Sequence, residues 1–101
     1  MDKIAIRSNN ILQWQIIDAL IVQAQRLRAD GEYADAETIA RKALERAEKR
    51  MGNLSLDTGL VLMELVELYD KQGREEESEP LWKRIREILL LASVKLEIKR
   101  D

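Results

Sequence analysis

Four stretches of the chain place apolar residues at three- and four-residue steps, the spacing that gathers side chains on one face of an α-helix. The first runs from about Ile11 to Ala29, behind the capping candidates Ser8, Asn9 and Asn10. Leu12, Ile16, Ile17, Leu20, Ile21, Val22, Ala24 and Leu27 form a band wider than one stripe, so this helix is expected to meet neighbours on two sides. Asp30-Gly31 breaks it. A second pattern starts near Tyr33 and repeats Ala36, Ile39, Ala40, Ala43, Leu44 and Ala47 along one face, ending at Gly52. Because that face is mostly Ala, another helix can approach it closely. The third runs from about Asp57 to Gln72, capped by Ser55 or Asp57, and Gly73 stops it. The fourth covers roughly Glu75 to Ile98. Its Glu75, Glu76, Glu77 and Glu79 suit the positive end of the helix dipole. Pro80 cannot bond back to Glu76, so an early start implies a distorted first turn. No alternating strand pattern competes with these helices, and the expected fold is all-α.

The chain also repeats itself. Gly31 and Gly73 stand 42 residues apart, and the same shift aligns Leu12 with Leu54, Leu20 with Leu62, Leu27 with Tyr69 and Ile39 with Leu81. It further aligns Glu37 with Glu79 and Arg41-Lys42 with Lys83-Arg84. A helix–turn–helix unit recurring at this spacing predicts a short α-solenoid, although a four-helix bundle of two similar hairpins would read alike. The run Gly31-Glu32-Tyr33-Ala34-Asp35-Ala36-Glu37, followed by Ala40, Arg41, Lys42, Ala43 and Leu44, resembles a tetratricopeptide repeat across its turn and second helix. Leu65, Val66, Leu68 and Tyr69, then Gly73-Arg74-Glu75-Glu76-Glu77-Ser78-Glu79-Pro80-Leu81-Trp82, resemble the long repeat of the kinesin light chain type. That family tolerates the proline inside its second helix, which implies a fourth helix that starts before Pro80. The linker Met51-Gly52-Asn53 lacks the prolines and histidine usual there. The resemblance implies one domain over 1–101, with repeats at about 11–52 and 53–92 and a helical extension over 93–101.

Composition narrows the chemistry. Hydrophobic residues make up 46% of 101 and charged residues 36%, which belongs to a folded, helix-rich chain. There is no Cys and no His, so thiol chemistry, disulfides, the commonest general base and the commonest metal ligand are all missing. No serine sits in a nucleophile elbow, no glycine-rich phosphate loop occurs, and the Glu75–Glu79 run lacks calcium-loop spacing. The expectation is a protein that is not an enzyme, with no catalytic residue, metal site or cofactor. Nucleic acid is not an expected partner either. The net charge is −2, and the five basic residues within 41–50 are interleaved with Glu45 and Glu48. The N-terminus has no signal-like apolar segment, and the longest apolar run, Ile88 to Ala92, is far short of the ~20 residues that span a bilayer. A soluble, cytoplasmic protein with no membrane partner is expected.

What remains is protein recognition. The resemblance implies a peptide-binding groove along the first helix of each repeat. Its positions fall on Asp18, Ile21, Val22, Gln25 and Arg28, then on Leu60, Met63, Glu64, Glu67, Asp70 and Lys71. Such a groove is apolar at one end and acidic in its second half, suiting a peptide with apolar anchors and basic residues. A solvated face would present the same side chains. Tyr69 and Trp82 are expected to fill gaps between units, and Trp14 and Trp82 to be core rather than ligand platforms. The fourth helix is apolar on more than one side beyond Ile88, which makes Ile88, Leu89, Leu91, Ala92 and Leu96 a candidate interface for a homodimer. The N-terminal stretch with Ile4, Ile6, Ile11 and Trp14, or a fold-back cap, could cover it instead. The expected function is a small adaptor or assembly factor. The alternative is an obligate subunit or chaperone-like partner whose apolar end is covered by one larger protein.

Overall fold

The computed structural model describes the backbone of residues 2–100 and the side chains of residues 11–94. Four helices account for it: α1 (Asp2–Ala29), α2 (Tyr33–Met51), α3 (Leu56–Lys71) and α4 (Glu75–Arg100). α1 begins about nine residues before the expected start, so Ser8, Asn9 and Asn10 lie inside it rather than capping it. No Gly or Pro interrupts residues 2–10, and extending an existing helix through Ser or Asn costs only a few tenths of a kcal/mol per residue. Leu96 lies outside the described side chains, as do Ile4 and Ile6.

The two helix ends that repeat at the 42-residue spacing are closed identically. Gly31 and Gly73 adopt φ of +80° and +71°, a left-handed conformation that costs glycine little. The N–H of Glu32 then donates to the Leu27 carbonyl at 2.8 Å, and that of Gly31 to Arg28 at 3.0 Å. Forty-two residues on, Arg74 donates to Tyr69 at 2.8 Å and Gly73 to Asp70 at 3.1 Å. These are two copies of the Schellman closure, which satisfies carbonyls left over at a helix end. At the start of α3, the Ser55 hydroxyl accepts from the Thr58 N–H at 3.1 Å, making Ser55 the cap. α4 starts at Glu75 and carries Pro80 inside it, as expected.

The helices form two antiparallel hairpins, α1–α2 and α3–α4, with α3 lying against both helices of the first. The alanine face of α2 makes this possible: Ala36, Ala40, Ala43 and Ala47 are all fully buried. Leu65, Leu68 and Tyr69 of α3 pack on Ala24, Ala36 and Ala40, and Val61 packs on Ile17, Ala43 and Ala47. Leu62 and Val66 face the other way, onto Ile85 and Ile88 of α4. Burial of each large aliphatic side chain contributes about 1.5–3 kcal/mol, so α3 is the central beam of the core. Ile88 packs directly over Gly59, where even an added Cβ would meet its Cγ2 at 3.4 Å, about an ordinary contact.

Three expectations are corrected by this packing. Ile88 is 2% exposed and belongs to the core, so it is not available as an interface residue. Trp82 does not fill an internal gap, since 41% of it is exposed, whereas Tyr69 is buried as expected. Among the described residues α1 and α4 make no contact, because α3 separates them, so Ile11 and Trp14 do not cover α4.

Candidate functional site

Residues 14, 18, 21, 25 and 28 recur at helical steps, which places Trp14, Asp18, Ile21, Gln25 and Arg28 on one face of α1. Opposite them α3 presents Leu60, Met63, Glu64 and Glu67. The two rows bound an open concavity of about 440 Å³. Eight of the eleven groove positions named from the sequence therefore line one hollow. Val22, Asp70 and Lys71 do not line it, although all three are exposed on the same helices. Trp14 is the residue that sequence reasoning assigned elsewhere. It packs on the Ile17–Ala43–Val61 cluster and, half-buried, also forms a wall of the hollow. Its i, i+4, i+7 spacing with Asp18 and Ile21 is the signal that could have revealed it.

The polar floor is an ion pair. Arg28 Nε lies 3.3 Å from the Glu64 Oε2 without an aligned hydrogen bond, and its other nitrogens donate to Glu64 at 3.4 Å and to Glu67 at 3.5 Å. Glu64 is only 5% exposed, and burial raises its carboxyl above the usual range against the opposing pull of Arg28. The acidic half expected here is consequently muted. Arg28 compensates Glu64, and Asp18 and Glu67 remain as the carboxylates that face solvent.

A second polar cluster lies outside the hollow and joins α2 to the α3–α4 turn. Glu37 accepts from Arg74 at 2.7 Å, from Arg41 at 2.9 Å and from the Tyr69 hydroxyl at 3.2 Å. The Arg74 guanidinium also sits 4.5 Å from the Tyr69 ring centroid. Burial raises the Glu37 pKa, but Arg74, Arg41 and Tyr69 outweigh it and hold the carboxyl below its ordinary value. Every member of this cluster is occupied by another, which suits a structural lock.

The basic stretch of α2 is only partly paired. Arg41 and Lys49 pair with Glu37 and Glu45 at 2.9 and 3.0 Å, Arg46 donates to the neutral Gln13 at 2.8 Å, and Glu48 is taken by Arg84 of α4 at 2.7 Å. Among the described residues there is no cluster of three or more potential metal ligands, and no helix is long and apolar enough to cross a membrane.

The fold and its twin turns are those of a helical repeat, and residues 19–55 match the model of the tetratricopeptide repeat family. The chain carries a tetratricopeptide repeat. The matched segment takes in the second half of α1, all of α2 and the linker up to the cap of α3. A search of curated proteins returns no match to the chain. Tetratricopeptide repeats generally mediate protein–protein interaction and are typically non-catalytic.

Proposed function

We propose that this protein is a non-catalytic adaptor or assembly factor that holds a peptide in the α1–α3 hollow and self-associates on its α4 side. In this reading the chain is one domain of two repeats, at about 11–52 and 53–92, and works in the cytoplasm without cofactor or nucleic acid. The supporting observation is the convergence of eight family groove positions and Trp14 on one hollow. Trp14, Ile21, Leu60 and Met63 offer apolar contact, while Asp18 and Glu67 offer carboxylates at the rim. An extended or helical peptide with apolar anchors and a Lys or Arg fits that lining. Peptide anchors of this kind bind mainly through a few well-buried side chains.

The test is selection from a random peptide display library on the purified protein. Selected peptides should combine apolar anchors with a basic residue. Fluorescence polarisation should then show at least about ten-fold weaker binding for Ile21→Ala and for Glu67→Lys, corresponding to 1.4 kcal/mol or more. Binding unchanged by both substitutions would remove the hollow from consideration.

A further inference from the structure

α3 fills a seat on the first hairpin, and the 42-residue shift carries each wall of that seat onto the second hairpin. Ala40 and Ala47 of α2, both fully buried beneath α3, correspond to Trp82 and Leu89 of α4, which are 41% and 47% exposed. Ile17 corresponds to Gly59, and Ile21 to Met63. The second seat is thus an apolar hollow of about 230 Å³, with Leu56, Leu60 and Met63 on one side and Ile85 and Leu89 on the other. Trp82 is exposed because it stands where a further helix would cover it.

We propose that a second copy of this chain covers this end face, packed about a two-fold axis through the α3–α4 hollow. The proposal rests on the self-association in the functional reading above and specifies its surface. Head-to-tail stacking is disfavoured by charge. There α1 of the next copy would take the place of α3, and the polar contacts of the filled seat would have to recur. They do not. Arg84 on Glu48 would become Lys42 on Leu90, Arg74 on Glu37 would become Glu32 on Glu79, and Glu64 on Arg28 would become Val22 on Asp70. The hollow on the α1–α2 side of the molecule differs in kind, since Lys42, Glu45, Arg46, Lys49 and Arg50 ring its apolar Ile16 and Leu20. A two-fold arrangement instead sets the Trp82, Leu89, Leu60 and Met63 patch against the same patch of the partner copy, with the exposed Arg86, which takes the place of Leu44 in the filled seat, flanking Trp82 and Leu89. Leu60 and Met63 line both hollows, so the two-fold contact and the peptide share that edge of α3, and Trp14 and Ile21 are the apolar contacts left to the peptide alone.

The surface differs from the distal side of α4. At about 100° per residue, Leu91 lies roughly 200° round the helix from Leu89, so the two can be tested separately. Light scattering on a sizing column should give a dimer for the wild type and for Leu91→Glu, and a helical monomer for Trp82→Glu combined with Leu89→Glu. In a Trp14→Phe chain the emission of Trp82 should move to the red on dilution, with a midpoint at the dissociation constant. This second measurement decides the matter if the double variant does not fold. A wild-type dimer broken by Leu91→Glu but not by the double variant overturns the seat and leaves self-association standing on another face. A wild-type monomer at every concentration, with Trp82 emission that ignores dilution, overturns the seat and self-association together. The peptide hollow is judged by its own titration.

Discussion

Single side chains decide how the hairpins are held to each other. Glu37 is the best example, since one carboxylate accepts from α2, from α3 and from the turn before α4. Its pKa is depressed in the fold, so its contribution is fully present above the unfolded value of 4.5 and is lost as pH falls through the folded value. Glu37→Gln should therefore lower urea stability by about 1–3 kcal/mol at pH 7, and the gap to wild type should close below the carboxylate range. Glu64 behaves oppositely. Its raised pKa means that folding favours the protonated form, and its share of stability falls as pH rises from 4.5 through the folded value. Neither role is legible in the sequence, where Glu37 and Glu64 are two of nineteen acidic residues. Only the distance to Arg74 or Arg28 distinguishes them.

At the scale of the element, the helices and their ends were readable because local chemistry sets them. Gly31, Gly52 and Gly73 all take positive φ, and Ser55 caps α3, since left-handed closure and hydroxyl capping depend on a few neighbouring residues. Ser55→Ala should cost about 1 kcal/mol in thermal or urea unfolding. Pro80 interrupts α4 after its first turn, where the ring faces solvent and the Glu76 carbonyl can reach water. Pro80→Ala should accordingly stabilise the protein by on the order of 1 kcal/mol, less than the ~3 kcal/mol of a mid-helix proline, and far-ultraviolet circular dichroism melts would show it. The start of α1 was misjudged for a related reason. Ser8-Asn9-Asn10 can cap a helix, but nothing before them stops one.

At the scale of the whole molecule, stability rests on α3, which contributes to both halves of the core. Leu62 is fully buried against α4, and Leu62→Ala should cost about 2–5 kcal/mol in a single cooperative unfolding transition. Residues 1–54 alone should lose most of their helicity by circular dichroism. The alanine face of α2 buries little area without Val61, Leu65 and Leu68 over it.

The sequence by itself determined the four helices, their stops, the 42-residue spacing and the alanine face, because periodicity and helix capping are properties of short segments. The groove row on α1 and α3 came from the resemblance to the tetratricopeptide repeat, and eight of its eleven positions line one hollow. The tertiary structure alone decided which apolar residues are covered. Ile88 and Leu89 are neighbours in an unbroken hydrophobic run, yet one is sealed against Gly59 and the other stands nearly half exposed at the end face. Trp82 and Tyr69 are both aromatic residues near the second turn, but only Tyr69 has another helix packed over it. Burial depends on what lies across the gap, and that partner is brought in by residues far away in the chain.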